Sequence, residues 1–399
     1  MKKLLSLLAA AVLLPVAANA DVLKNVNIKG EIQTIASDVH HNAIVDDIYN
    51  RGTSARVLAG LSADLVEDVT ANVTFQYANV WGNDSAAGRN VSDYWDEISL
   101  VEANVVLHNL FCCLEATIGR QFYGDEDSAV MYLGPDHYNA ERNGYVPALD
   151  AAKITYADDF QALTLIAGRT NTSVPMVLFM SPREYPWGAG AKVDVYGADW
   201  KANLTDALTA QAYIYDLRMA DLDDSHFGLW GGKVNFAPEA VRASVEYARN
   251  FGGKRLIKEH KDTGYMVKAD VAADIEAVTV RGTFYYTKHF LSLGNYTPGL
   301  MFGHTPFMMM ANLEEGIRLF NVGLDVKPAE KWTVALDGFS FQSRTGHGQI
   351  WEADLTAKYA HNENVELFTG VGYMKLTSAM AEDMFRDNFK YQLGMLIKF

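Results

Sequence analysis

Hydrophobic and mostly polar positions alternate over the last eleven residues of the chain, from Phe389 to Phe399. One set of alternate positions is wholly apolar and consists of Phe389, Tyr391, Leu393, Met395, Ile397 and Phe399. The other set is mostly polar and consists of Lys390, Gln392, Gly394, Leu396 and Lys398. A period of two predicts a β-strand with one apolar and one polar face, and a carboxy-terminal aromatic residue is typical of the strand that closes an outer-membrane β-barrel.

The same alternation recurs along the chain and predicts about eighteen strands. They cover residues 26–34, 56–65, 69–77, 99–108, 114–121, 152–157, 162–169, 191–202, 207–217, 227–236, 240–249, 264–272, 277–288, 315–327, 332–342, 350–360, 365–376 and 389–399. Eight short joints alternate with nine longer connections, which predicts an all-β transmembrane antiparallel barrel with both termini in the periplasm. The alternative is an all-β soluble protein, but such a protein has no reason to place its short and long loops at opposite ends.

The amino terminus has the features of a cleaved export signal. Two lysines precede the apolar run of residues 4–17, and an A-x-A cleavage site ends at Ala20. The apolar run is shorter than the ~18 residues that a membrane-spanning helix needs. We therefore predict a signal peptide over residues 1–20 and a single outer-membrane barrel over residues 21–399.

The composition indicates that apolar and polar residues are interleaved. Apolar residues make up 49% of the chain and aromatic residues 12%, yet the mean hydropathy is only −0.06. Strands with one face in lipid and the other in water have this composition. The formal net charge of −15 argues against a nucleic-acid partner, because binding to phosphates requires cationic side chains. We expect the partners to be the lipid bilayer, lipopolysaccharide beside the surface loops, and small hydrophilic solutes.

The only two cysteines, Cys112 and Cys113, are adjacent in a predicted short periplasmic turn. Neighbouring cysteines bridge each other only with strain, so they do not form a disulfide framework. Two readings stay open: a pair of exposed or reduced thiols, or a bridge to another molecule.

The connection after the fifth predicted strand is the candidate functional element. Its start reads Gly119-Arg120-Gln121-Phe122-Tyr123-Gly124-Asp125. The connection continues to residue 150, and loops of this length are usually functional rather than simple hairpins. A barrel of ~16–18 strands encloses an aqueous lumen, so we predict that this third loop folds into the lumen and narrows it.

The string Gly119-Arg120-Gln121, followed by Tyr123-Gly124, resembles the end of the fifth strand in bacterial general porins. That resemblance implies a third loop folded into the lumen, with its acids facing basic wall residues, and a homotrimer. The same string also resembles the alginate-export family of eighteen-stranded channels, which implies a monomer. Alginate exporters are expected to have a strongly basic lumen, and this acidic chain departs from that pattern. The terminal Phe399 resembles the signal that outer-membrane proteins present to the assembly machinery.

Strand parity places charged residues on the wall of the lumen. The inward bases are predicted to be Lys29, Arg56, Lys153, Arg242, Lys268, Arg281 and Lys358. The inward acids are predicted to be Asp64, Glu102, Glu115, Asp194, Glu246, Asp270, Asp337, Glu352, Asp354 and Glu366. We hypothesise that Asp125, Glu126 and Asp127 face some of the bases and create a transverse field at a constriction, because charges in a confined pore set ion selectivity. The alternative is a solvated loop above wall charges that pair with each other.

The predicted constriction combines the start of the third loop with four wall residues. Its members are Arg120, Gln121, Tyr123, Asp125, Glu126, Asp127, Arg56, Lys153, Arg242 and Arg281. Arg120 shares its parity with Leu114, Ala116 and Ile118, which should face lipid. An inward Arg120 therefore requires a bulge near Gly119.

These features predict a porin-like channel for passive diffusion of small hydrophilic solutes or ions, with no cofactor, no metal and no catalytic residues. The sequence has no nucleophile-elbow string and no His-Glu-x-x-His motif. Two alternatives are a structural or adhesive barrel with a plugged lumen and a membrane-embedded hydrolase that assembles a triad from separate strands. Calcium binding by the three consecutive acids of the third loop also stays open, although they lack the full ligand spacing of a known loop.

Overall fold

The computed structural model of the protein describes residues 24–40, 51–81, 98–111, 113–140, 143–144, 146–171, 174–175, 190–219, 226–252, 264–301, 316–343, 349–376 and 388–399. The predicted signal peptide, residues 1–20, lies outside the described residues, as does Cys112. Within the described ranges, no helix is long and apolar enough to cross a membrane.

Eighteen strands form one sheet. They are β1 (Lys24–His40), β2 (Arg51–Val66), β3 (Val69–Trp81), β4 (Ile98–Leu110), β5 (Leu114–Gln121), β6 (Leu149–Ala157), β7 (Gln161–Thr170), β8 (Val193–Thr205), β9 (Leu208–Met219), β10 (His226–Phe236), β11 (Val241–Gly252), β12 (Tyr265–Ile275), β13 (Val278–Lys288), β14 (Ile317–Ala329), β15 (Trp332–Ser343), β16 (Gln349–Asn362), β17 (Val365–Leu376) and β18 (Asn388–Lys398). The predicted number of strands is therefore confirmed. Several strands are longer than the sequence pattern indicated, since β1 was expected only over 26–34.

The sheet closes on itself, because β1 pairs antiparallel with both β2 and β18. Just beyond the pairing of β1 with β18, the N–H of Gly30 donates to the carbonyl of Phe399 at 2.7 Å, and the N–H of Phe399 donates back at 3.0 Å. A Cβ on Gly30 would lie 2.8 Å from the Phe399 ring, so glycine leaves room for the terminal aromatic side chain. Closure leaves no unpaired strand edge to face lipid.

The two faces of the barrel have the polarity expected of a membrane protein. In β18, Lys390 is 2% exposed, whereas the neighbouring Tyr391 is 46% exposed. The apolar positions therefore lie on the outer face and the polar positions face the lumen, as the alternation predicted. We call the end of the barrel that carries the connections after odd-numbered strands the loop rim, and the opposite end the turn rim. Cys113 is exposed in the turn after β4, at the turn rim.

Candidate pore constriction

The connection after β5 begins with a small hairpin, residues 123–133, which we call the loop hairpin. Its two short strands, Tyr123–Gly124 and Tyr132–Leu133, pair antiparallel. Gly124 has a φ of +89°, and a Cβ there would lie 2.2 Å from the carbonyl oxygen of Met131. Glycine is therefore required for this tight return of the chain, which places the three consecutive acids between the two short strands.

A second segment, residues 289–301 after β13, joins the loop hairpin, and we call it the inner segment. The N–H of Tyr132 donates to the carbonyl of Leu293 at 2.9 Å, and the N–H of Leu293 donates to the carbonyl of Val130 at 3.1 Å. The buried apolar residues that the two segments share are Ala129, Val130, Met131, Leu133, Phe290, Leu291 and Leu293. The two segments thus form one packed body, an association that the sequence pattern did not predict.

The packed body lies against lumen-facing side chains of the barrel. The wall residues in the same buried cluster include Tyr213, Tyr215, Leu217, Phe227, Leu229, Leu319 and Phe341. The Tyr123 hydroxyl lies 3.1 Å from that of Tyr215, and burial raises the pKa of Tyr123 to about 12. Asp125 reaches Lys201 of β8 at 3.5 Å, and both side chains are largely exposed.

A chain of four charged groups connects the loop to β1 and β2. The Glu126 Oε2 atom lies 2.8 Å from Nδ1 of His137, and Nε2 of His137 lies 2.8 Å from Oε2 of Glu31. Arg56 donates to the other oxygen of Glu31 at 2.6 Å. Glu126 also accepts the backbone N–H of His137 at 2.7 Å. The two carboxylates, the guanidinium and a protonated imidazole sum to zero net charge.

The hydrogen bonds within this chain set the protonation state of the imidazole. Burial alone would lower the pKa of His137, but its hydrogen bonds to Glu126 and Glu31 raise the pKa to about 9. For Glu126 the directions are reversed: burial alone would raise its pKa, but the hydrogen bond from His137 lowers it. His137 is therefore a cation near neutral pH, and it bridges two carboxylates.

Tyr138 extends the attachment of the loop from β1 to β16 and β17, which lie beyond β18 on the same side of the barrel. Its ring makes a T-shaped contact with Phe368 of β17, with 5.0 Å between the centroids. Lys358 of β16 lies over the Tyr138 ring, with its Nζ atom 3.6 Å from the ring centroid. The same Nζ atom is 3.9 Å from a carboxylate oxygen of Glu366. The contact with the ring explains why the lysine stays inside the wall without a short ion pair.

The returning part of the loop is bonded to β2 and β3. Asn143 donates to the Ser54 hydroxyl at 3.1 Å, and Gln76 donates to the carbonyl of Gly144 at 2.7 Å. Because these wall groups lie on the lumen side of their strands, the loop contacts the inner wall from β1 to β3 as well as β8, β9, β16 and β17. Such a span requires the loop to extend across the lumen.

The inner segment has its own attachment to wall acids. The backbone N–H of Leu300 donates to Asp354 at 2.8 Å, and that of Met301 donates to Glu352 at 2.7 Å. Gly299 has a φ of +76°, and a Cβ there would lie 2.7 Å from a carboxylate oxygen of Glu352. Two wall acids predicted as pore charges therefore accept hydrogen bonds from the inner segment.

Arg120 and Gln121 are placed away from the lumen charges. The registers of β5 with β4 and β6 are continuous at Arg120, so the bulge required to turn it inward is not formed. Its side chain instead lies on the outer face and donates to Asp150 at 2.7 and 2.9 Å. Gln121 is buried and donates to backbone carbonyls, including that of Ala151 at 3.1 Å.

The remaining predicted wall bases differ in their surroundings. Arg281 pairs with Asp325 and Asp337 on the next two strands, at 3.0 and 2.6 Å. Arg242 pairs with Asp274 at the turn rim, far from the loop hairpin along the strands. Lys153 has no hydrogen bond or ion pair within the described part of the chain. Pairing among wall charges, the alternative reading of the sequence, therefore accounts for two of these three bases.

Tyr123, Asp125, Glu126 and Arg56 are the predicted site residues that the structure gathers around the loop. Asp127 lies beside them and is exposed. Sequence reasoning missed His137 and Glu31, although Glu31 shares its parity with Lys29 and could have been assigned to the lumen face. No group of three or more His, Cys, Asp or Glu side chains within the described residues is arranged to hold a metal ion.

No protein-family model and no curated protein sequence matches the chain. Solved structures with the same fold include OccAB1 of Acinetobacter baumannii, with a TM-score of 0.68 and 12% identity over 95% of this chain and 97% of that chain. OpdO of Pseudomonas aeruginosa has a TM-score of 0.67 and 10% identity over 95% and 98%. Acinetobacter baumannii OccAB4 has a TM-score of 0.65 and 10% identity over 96% and 100%.

The closed eighteen-stranded barrel with its apolar outer face defines the protein as a transmembrane barrel with the fold of bacterial outer-membrane porins. Its place is therefore the bacterial outer membrane, as the sequence pattern predicted.

Proposed function

We propose that the protein is a passive channel for small hydrophilic solutes, and that the loop hairpin and the inner segment narrow its lumen. The observation that carries this proposal is the attachment of the third loop to opposite sides of the inner wall, through Tyr123 and Tyr215 of β9 on one side and His137 and Glu31 of β1 on the other. The orientation that fits this role has the loop rim outside the cell and both termini in the periplasm.

The proposed channel prefers cations. Asp125 is 78% exposed and Asp127 is also exposed, whereas Glu126 is neutralised by His137. Exposed carboxylates at a constriction attract cations and repel anions. In this proposal Asp125 and Asp127 set the selectivity, and Glu126 holds the loop in place.

The test is single-channel conductance of the purified barrel in a planar bilayer, with the reversal potential measured under a salt gradient. Steady current with a cation preference is expected, and the double variant Asp125→Asn, Asp127→Asn should lower that preference. The matched control is Asp159→Asn, an exposed acid in the turn after β6 at the opposite rim. An unchanged reversal potential in the double variant would show that these two acids do not set the ion selectivity.

A plugged structural or adhesive barrel is the second candidate, because the packed body fills part of the lumen with buried apolar side chains. The same recording separates the two functions. A folded barrel that carries no current would support the plugged barrel and overturn the channel proposal.

A further inference from the structure

We propose that one part of the third loop is a gate, which lifts from β1 and β2 while the loop hairpin and the inner segment stay bound to the wall. This part consists of residues 134–140 and 143–144, and we call it the return segment. Its lifting opens a water-filled path along β1 and β2. The inference deepens the proposed channel function, on which its effect on current rests, but the movement itself is measured without any current.

The return segment has a smaller apolar contact with the wall than the loop hairpin has. The loop hairpin contributes a run of buried residues, from Ala129 to Met131 and again at Leu133, to the large buried cluster. None of the described return-segment residues belongs to that cluster, and Ala140 instead joins a small cluster with Phe368 and two other wall residues. Because apolar burial is the main attraction between packed elements, the return segment is held more weakly than the loop hairpin.

The wall beside the return segment contains buried polar groups that other protein groups leave unpaired. Gln33 of β1 lies two residues from Glu31, the wall partner of His137, and is 0% exposed. Neither its amide nitrogen nor its amide oxygen has a hydrogen-bond partner within the described residues. The same is true of Nε and Nη1 of Arg56, which is paired in register with Gln33, and of Oδ1 of Asn143 in the return segment itself. Unpaired buried polar groups destabilise the closed arrangement, and lifting the segment exposes them to water.

The polar wall groups beneath the loop hairpin are paired instead. The Tyr213 hydroxyl donates to Glu246 at 2.8 Å, and the Tyr215 hydroxyl donates to Asp199 at 3.3 Å. Moving the hairpin would also expose the large buried cluster to water. The two parts of the third loop therefore differ: the hairpin loses apolar burial when it moves, whereas the return segment allows unpaired groups to be hydrated.

Backbone strain at Tyr138 adds to this difference. Its φ of +66° lies in the left-handed region, which bulky residues rarely adopt. Such a conformation persists only while surrounding contacts hold it, and here the ring is held by Phe368 and Lys358 of the wall. Lifting the return segment releases the ring from these contacts and allows the backbone at Tyr138 to relax.

The movement is confined to the return segment because the chain is fixed on both sides of it. Leu133 is paired within the loop hairpin, and Ala148 exchanges two hydrogen bonds of 2.9 Å with Asn171. Between these points the contacts that hold the segment down are mostly polar, the strongest being that of His137 with Glu31 at 2.8 Å. Polar contacts exchange for hydrogen bonds to water at little net cost, so they latch the segment without fixing it.

The experiment measures how fast a buried cysteine reacts with a permanently charged methanethiosulfonate reagent in the purified full chain in detergent. Both native cysteines, Cys112 and Cys113, are first replaced by serine. The test variant is Gln33→Cys, beside the return segment, and the matched control is Leu217→Cys of β9, within the large buried cluster. Both positions are 0% exposed, so neither cysteine reacts without a movement of the loop. Heat-dependent gel mobility verifies that each variant is a folded barrel.

We expect Gln33→Cys to react at least about tenfold faster than Leu217→Cys, because a segment held by polar contacts opens more often than one held by apolar burial. Adding His137→Gln should speed the reaction of Gln33→Cys further and leave that of Leu217→Cys unchanged. Equal rates for the two cysteines, or a cysteine at position 33 that reacts only after denaturation, would overturn the proposal.

Recording in a planar bilayer separates the gate from the channel itself. In Gln33→Cys the attached reagent keeps the return segment from closing, so the conductance should rise and should return to its first value after reduction with dithiothreitol. An unchanged conductance after complete reaction would overturn the proposed path along β1 and β2. A folded barrel that reacts rapidly at position 33 but carries no current would support the gate and overturn the channel proposal.

Discussion

At the scale of single residues, His137 decides how the third loop is held. It is the only group that contacts both Glu126 of the loop and Glu31 of the wall within the described residues. A protonated imidazole between two carboxylates offsets their mutual repulsion, and Arg56 balances the remaining charge. This arrangement converts an acidic loop, which would be repelled by an acidic wall, into an attached one.

The attachment should be insensitive to pH near neutrality and sensitive to alkali. The pKa of His137 is raised to about 9, so its stabilising effect is complete below its ordinary value of 6.5 and is lost as the pH rises through about 9. We expect single-channel conductance and its noise to be constant from about pH 6 to pH 8 and to increase above about pH 9. The variant His137→Arg keeps a positive charge and should lack this step. An identical alkaline step in that variant would assign the titration to another group.

Removing the cation should release the loop at neutral pH. In His137→Gln, Glu126 and Glu31 face each other without a charge between them, and breaking a buried ion pair costs about 3–5 kcal/mol. We expect faster proteolysis of the third loop and a larger conductance, while the barrel itself stays folded. The double variant that adds Glu126→Gln removes the repulsion and should recover part of the protection. Equal protection of the single variant and the unmodified chain would show that the loop is held by other contacts.

At the scale of elements, the loop hairpin and the inner segment stabilise each other. Neither has enough residues to form a core alone, and their buried side chains complete a single cluster with the wall. Gly294 marks their closest approach, because a Cβ there would lie 2.2 Å from the carbonyl carbon of Ala129. The two connections therefore act as one element, although about 160 residues separate them in sequence.

A single methyl group added at Gly294 should disrupt the packing of the loop hairpin against the inner segment. Gly294→Ala places its Cβ against the backbone of Ala129, which cannot move without breaking the hydrogen bonds between the segments. We expect increased protease sensitivity in both connections at once and unchanged heat-dependent gel mobility of the barrel. The matched control is Gly338→Ala in β15, where the added Cβ would meet only the Val322 carbonyl oxygen at 3.9 Å. Sensitivity confined to one connection would contradict a shared packed body.

At the scale of the whole molecule, closure joins the two ends of the chain. β1 and β18 are the first and last strands, and their contact is completed by the hydrogen bonds between Gly30 and Phe399. The Phe399 ring lies over the space left by the missing Gly30 side chain. The pairing of β18 with β1 therefore leaves the barrel without an edge strand, and the hydrogen bonds of Phe399 extend that pairing.

Deleting Phe399 should impair closure more than shortening its side chain does. The deletion removes both hydrogen bonds to Gly30, whereas Phe399→Ala keeps them and removes only the ring. We expect a large loss of folded barrel in the outer membrane for the deletion and a smaller loss for Phe399→Ala, measured by heat-dependent gel mobility of membrane fractions. A matched control is Phe160→Ala, an exposed aromatic residue in a turn at the same rim. Normal yields of folded barrel in both Phe399 variants would show that the terminal aromatic residue has no role in assembly.

The fold could be predicted from sequence because the polarity of a residue in a barrel strand depends on whether that residue faces lipid or the lumen. In β18, most residues from Asn388 to Lys398 reveal by their polarity whether they face lipid or lumen, with the buried Leu396 as an exception, and the other strands repeat the pattern. The same logic assigned Arg56 and Arg281 to the inner wall. It was wrong at Asp194, which was assigned to the lumen but pairs with Arg169 on the outer face, two residues from the exposed Tyr196. Where parity and motif disagreed, as at Arg120, the structure follows parity.

The site was less predictable because its contacts join residues that are distant in sequence. Nothing near His137 in the chain identifies Glu31 as its partner, since 106 positions separate them. The inner segment has no alternation to reveal it, and its Tyr296 contacts Lys268 of β12 only through folding. Strand parity gives the direction of a side chain but not which loop covers it.

The sequence by itself determined the number of strands, their two faces and the closing strand, since alternation between lipid and water is imposed on each strand separately. Only the tertiary structure decided which wall charges are paired, how the third loop is held and that a second connection joins it. The physical reason is that hydrophobic alternation is a one-dimensional pattern, whereas the neutralisation of a buried charge depends on the distance between atoms from different strands and loops.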